Sequence, residues 1–229
     1  STGHTDEAVA ELRQATQLDP LAKSAGAAHA TALTFARRFA EAEAESRRVL
    51  AIDSTFPLAS LSLGSAQAFG GRPDSAVLTL ERGLRLHPDA PGQHSALIFA
   101  YAAAGRWTDG ESLRAQLRRP GGDRSDGVDA AVAELVFGER EPLVRLLTTA
   151  AGQRRWINAN AGLFGCNPLL DPLWRDPRFR TAMRRLEVKP CPLARPWPVP
   201  RRPGSEATYA PSVQRRARAP LNPRTAGRS

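Results

Sequence analysis

One helix ending recurs at a fixed interval along this chain. Gln-Leu-Asp-Pro (17–20), Ala-Ile-Asp-Ser (51–54) and Arg-Leu-His-Pro (85–88) each close an apolar helical pattern, and Pro20, Ser54 and Pro88 follow one another at 34 residues. A fixed period in the range of roughly 20–50 residues marks a repeat architecture. Each unit is one supersecondary element that cannot hide its apolar face alone, and stacking buries that face between neighbours. With Pro20, Ser54 and Pro88 at position 32, the units end at 22 and then span 23–56, 57–90 and 91–124.

Within each unit the physics is helical. Ala8, Leu12, Ala15 and Leu18 recur at three-to-four spacing on one face, as do Ala76, Leu80, Gly83–Leu84 and Leu86. Gly70–Gly71–Arg72–Pro73 and Ala104–Gly105–Arg106 break the helices where a hairpin must turn. Pro57, Pro73 and Pro91 fall at helix starts, where the missing N–H costs nothing. Abundant alanine and only 6% aromatic residues suit helices packed at short axial distance.

These positions resemble the tetratricopeptide repeat. Its small residue at position 8 matches Ala30 and Gly64, and its alanine at position 20 matches Ala8, Ala42 and Ala76. Position 7 carries Leu63 and Leu97, position 11 carries Tyr101, and the turn glycine at position 15 matches Gly3, Gly71 and Gly105. Phe39 and Trp107 follow that turn. His29, Gln67 and Gly110 depart from the pattern. The resemblance implies an all-α fold, an α-solenoid of antiparallel helix hairpins, with Ala8, Ala42, Gly64, Ala76 and Tyr101 in the repeat packing. It further implies a groove lined by the first helix of each repeat. Phe35, Leu58, Leu61, Ser65, Phe69 and Phe99 are the candidate protein-binding residues there. The lining is uncharged and lacks the Lys, Arg and Asn clamp with which chaperone-binding members hold a C-terminal carboxylate. Two readings stay open: the groove seats an apolar helix or extended segment, or the chain fills it, with residues 153–175 the expected filler.

Three regions are expected: repeats over 1–122, the first truncated; a degenerate hairpin and cap over 123–188; and a Pro/Arg-rich disordered tail over 189–229. Pro120–Gly127 reads as a loop. Val128–Phe137 and Glu141–Ala150 read as a fifth hairpin around Gly138, 33 residues after Gly105. Asp176 as N-cap with Pro177 at the first helical position starts a short helix toward Val188. The stretch Pro168–Leu186, with its Asp-Pro-Arg-Phe helix start, looks like the ending of repeat arms in bacterial multidomain signalling proteins of the kinase, cyclase or winged-helix regulator type. That likeness implies a C-terminal arm with its output domain upstream.

The net charge of +9 is a property of the tail. Residues 189–229 hold nine Lys/Arg and one acid, leaving 23 bases against 22 acids in 1–188. Arg201–Arg202 and Arg215–Arg216 attract phosphate, but only Trp197 and Tyr209 offer stacking surfaces, so nucleic acid is disfavoured as a partner. Pro192–Pro203 has the composition of a proline-rich ligand.

No phosphate loop, nucleophile elbow, His-Glu-x-x-His or dinucleotide fingerprint occurs, and neither an enzyme nor a cofactor is expected. His29 is expected as a satisfied, partly buried core residue and His94 as solvated. Glu43 is expected to pair with Arg47 at the surface. Cys166 and Cys191 fit neither a zinc signature nor a disulfide framework. No apolar run reaches the ~18–20 residues of a membrane span, and the first residues carry no signal-peptide pattern. The expectation is therefore a cytoplasmic, non-catalytic interaction scaffold, the C-terminal piece of a larger regulator. Its partner is a protein or peptide segment, or an upstream domain of the same polypeptide that it controls in cis.

Overall fold

A computed structural model describes residues 3–119, 127–150 and 166–185, with Val188, Pro200 and Pro203, and every regular element among them is helical. In order these are α1 (Gly3–Leu18), α2 (Lys23–Phe35), α3 (Phe39–Ile52), α4 (Pro57–Phe69), α5 (Pro73–Leu86), α6 (Gln93–Ala103) and α7 (Trp107–Leu117). They are followed by α8 (Val128–Val136), α9 (Glu141–Ala150), a 3₁₀ helix over Pro168–Arg175 and α10 (Pro177–Arg185).

Two joints alternate along the chain. Helices α2, α4, α6 and α8 all stop at a residue with positive φ: Arg37 (63°), Gly71 (81°), Gly105 (74°) and Gly138 (91°). The next amide then donates to the carbonyl five residues back, Arg38 to Leu33, Arg72 to Gln67, Arg106 to Tyr101 and Glu139 to Glu134, at 2.8–2.9 Å. This is the Schellman stop, which satisfies orphan helix carbonyls through a left-handed residue. Glycine takes that conformation freely. Arg37 takes it against a Cβ clash of about 1–2 kcal/mol.

The second joint recurs at 34 residues. The amides of Asp19, Asp53 and His87 donate four residues back, to Ala15, Val49 and Gly83, and those of Ala22, Phe56 and Ala90 then donate to the carbonyls of Asp19, Asp53 and His87. The Asp19 and Asp53 carboxylates also accept the Leu21 and Thr55 amides at 3.0 Å. His87 instead donates Nε2–H to the Thr55 carbonyl at 2.6 Å.

Every consecutive pair from α1 to α9 packs together, and so do α2 with α4, α4 with α6 and α6 with α8. We call α2, α4, α6 and α8 the A helices, and α1, α3, α5, α7 and α9 the B helices. Close approach depends on small residues: Ala30, Ala42, Ala59, Ala66, Ala76 and Ala100 have no exposed surface. At Gly64 a Cβ would stand 2.3 Å from Leu80 Cγ, so only glycine lets α5 lie this near α4. One large apolar core runs from Ala68 to Val188, including Leu80, Ile98, Leu143, Leu170, Phe179 and Met183. Two smaller clusters hold the α1–α4 end, around Leu33 and around Val49.

The capping region differs from the sequence expectation. Residues 168–175, within the 153–175 segment expected as a filler, form the 3₁₀ helix with Leu170 and Leu173 fully buried. The helix opened by Asp176 is described only to Arg185, and Asp176 caps it by accepting the Arg178 amide at 2.9 Å. Most of the Pro120–Gly127 loop, the Arg pairs, Trp197, Tyr209 and all of the tail but Pro200 and Pro203 lie outside the described residues.

Candidate functional site

The six candidate groove residues lie on A helices, but the structure divides them. Phe69 and Phe99 are 4% and 2% exposed, with ring centroids 4.8 Å apart, and Phe39 from α3 stacks on Phe69 at 6.2 Å. They are core side chains. Phe35, Leu61 and Ser65 are half-buried and Leu58 is exposed. Only these four offer a surface.

Successive burial along the A helices explains the division. Ala66–Phe69, Leu97–Ala100 and Ala131–Val136 are unbroken buried runs. At about 100° per residue, four successive side chains point all round a helix, so these stretches are covered on every side. Leu169, Leu170 and Leu173 of the 3₁₀ helix, with Phe179 and Met183 of α10, share their apolar core. Trp174 meets Phe179 edge-on at 5.1 Å.

The same segment is tied by polar contacts to the other end of the chain. Arg37 Nη2 donates to Asp171 Oδ2 at 2.6 Å, with the side chains 17% and 9% exposed. Thr5 Oγ1 lies 3.6 Å from Cys166 Sγ. Cys166 is disulfide-bonded, so its sulfur carries no proton and Thr5 is the donor. This corrects the expectation of ordinary thiols. Two cysteines 25 residues apart gave no spacing signal for a bridge, and Cys191, the other cysteine of the sequence, lies outside the described residues.

Among the packing residues, Ala42 and Ala76 are fully buried and Ala8 is half-buried on α1. Tyr101 donates to Glu81 at 2.9 Å beneath the Arg106 guanidinium, and burial followed by Glu81 pushes its hydroxyl up to about 12. Two departures from the repeat pattern have local reasons. Gln67 stands in an aromatic slot and accepts from Thr79 at 2.8 Å. Gly110 stands in an alanine slot, with Phe137 filling the space above it.

His29 is the departure that stays unsatisfied. It is 9% exposed, its Nδ1 is 3.7 Å from Glu45, and neither ring nitrogen has a hydrogen-bond partner among the described residues. Burial lowers its pKa below 6.5; Glu45 opposes this, and Arg38 and Arg13 reinforce it. His94, expected in solvent, is instead 20% exposed and 3.8 Å from Asp129.

Carboxylates stitch neighbouring units together. Glu43 pairs with Arg47 at 3.1 Å as its spacing suggested, but it is 4% exposed and also pairs with Arg72 at the following turn. It is therefore a buried inter-unit contact rather than surface support. Glu134 accepts from Arg114 and from Arg118, the latter at 2.7 and 2.8 Å. Burial opposes its ionisation, yet the two guanidiniums hold its pKa below the usual value. Asp129 accepts the Gly92 amide at 3.1 Å and the Ser95 hydroxyl at 2.6 Å, joining α8 to α6.

A surface the sequence reading overlooked lies at the second joint. Leu18, Ile52 and Leu86 are 80%, 40% and 46% exposed and share one repeat position; Leu21 and Leu58 lie within six residues of them. Their 34-residue spacing was the available signal. Two nearby cations are paired within the chain, Lys23 with Asp53 at 2.8 Å and Arg48 with Glu45 at 2.7 Å. No group of three His, Cys, Asp or Glu able to hold a metal occurs among the described residues, and none of their helices is long and apolar enough to cross a membrane. Compared with known proteins, the chain matches no family model, no curated protein and no solved structure.

Proposed function

We propose that the chain is an α-solenoid of antiparallel hairpins of tetratricopeptide type, acting as a non-catalytic protein-interaction module in a larger bacterial regulator. The observation that carries the repeat reading is the recurrence of one left-handed helix stop at 37, 71, 105 and 138, each followed by an amide bonded to the carbonyl five residues back. A stack of this kind presents extended concave surfaces that suit binding. The docking surface is the uncharged patch of Phe35, Leu58, Leu61 and Ser65, continued by Leu18, Leu21, Ile52 and Leu86 along the joint edge. Its partner is an apolar protein segment, because the exposed side chains offer dry contact and the Lys23 and Arg48 cations beside them are already paired. The disulfide at Cys166 favours an oxidising compartment over the expected cytoplasm.

Photo-cross-linking in the cells that make the protein tests this reading. A cross-linking residue at 58 should trap one protein that the same residue at 78, an exposed leucine away from the joint, does not. Leu58→Asp should weaken binding of that purified partner by about tenfold or more. Equal trapping at both positions, or unchanged affinity, would remove the docking surface.

A further inference from the structure

We infer that residues 166–175 are a strap over the A helices, fastened by an Arg37–Asp171 clasp, so that closure of the clasp sets how much of that face is open. Arg37 sits where the equivalent turns have Gly71, Gly105 and Gly138, at φ 63°. A helix stop alone favours glycine there, and nothing in the turn needs a guanidinium. Its side chain reaches Asp171, 134 residues away, at 2.6 Å. Backbone strain at a position tied to a distant element points to a role for that contact. Both partners are largely buried, and removing one would leave an uncompensated charge in a poorly solvated place.

The strap has two further holds. Thr5 on α1 bonds the Cys166 sulfur, a contact spanning 161 residues. Leu169, Leu170 and Leu173 sit in the apolar core with Phe69 and Phe99. The polar clasp fixes where the segment lies, since apolar contacts alone carry little direction. Released, the strap would open the apolar core that Leu169, Leu170 and Leu173 share with Phe69 and Phe99. This gating step rests on the docking reading above; the clasp does not.

Charge reversal tests the clasp on the full chain with its disulfide intact. Arg37→Asp, Asp171→Arg and the double reversal are compared by hydrogen–deuterium exchange, with circular dichroism confirming retained helix. Aspartate tolerates the left-handed conformation. Each single variant should speed exchange over 166–175 by at least about tenfold, and the double reversal should recover most of it. If Arg37→Asp fails to fold, Arg37→Gly, which copies the turns at 71 and 105, carries the same expectation. Unchanged exchange in the single variants, or no recovery in the double, overturns the clasp. Binding of the apolar dye 1-anilinonaphthalene-8-sulfonate is read alongside and should rise in the single variants. Faster exchange without added dye binding would keep the clasp and overturn the gating step.

Discussion

Two glycines in helices show how the same residue serves opposite ends. At Gly64 a Cβ would meet Leu80 Cγ at 2.3 Å, whereas at Gly110 the nearest atom would be Phe137 Cζ at 3.5 Å, an ordinary contact. Gly64→Ala should therefore destabilise the fold by about 1–3 kcal/mol through overpacking. Gly110→Ala should stabilise it by about 0.5–1 kcal/mol, the helix-interior preference of alanine over glycine. Denaturant midpoints of both variants check the pair, and the same sign for both would contradict this packing. His29 supplies the pH prediction. Its folded pKa lies below 6.5, so the folded state binds fewer protons than the unfolded one. Stability should be flat above neutrality and fall as pH drops through 6.5 toward the folded value. His29→Leu should flatten that slope between about pH 5 and 7, measured by urea midpoints across the range. A slope unchanged by the substitution would assign it to other groups.

The helices and their turns were legible because they rest on local chemistry. The break at Arg37 has no glycine to mark it, but it falls 34 residues before Gly71, on the same period. The 3₁₀ helix at 168–175 was not legible. Pro168, Pro172 and a short apolar run carry no helical period, and only burial in the shared apolar core orders them. The exposure of Phe69 and Phe99 was undecided for the same reason: an A-helix face reads alike whether or not a segment some seventy residues or more downstream covers it. Of the candidate site, Phe35, Leu58, Leu61 and Ser65 kept an accessible place, and the joint leucines were missed because an apolar helix end reads as core. The Cys166 bridge gives this region its own test. A thiol reagent should titrate no free cysteine in the native chain and both cysteines after reduction in denaturant. Reactive thiols in the unreduced chain would remove the bridge and the compartment drawn from it.

Across the whole molecule, one local rule written four times generates the architecture. Each left-handed stop ends an A helix that packs on the B helix after it, and each A helix packs on the next. Buried carboxylates at 43, 129 and 134 fasten unit to unit. Asp171 and Cys166 tie the 166–175 segment to Arg37 and Thr5, 134 and 161 residues earlier in the chain. The central claim is the repeated stop, and amide-resolved hydrogen exchange by NMR tests it most directly. The amides of Arg38, Arg72, Arg106 and Glu139, each bonded five residues back, should all exchange at least about a hundredfold more slowly than unbonded loop amides. Loop-like exchange at these four positions would show that the chain does not turn there, and the stacked-repeat account would fail.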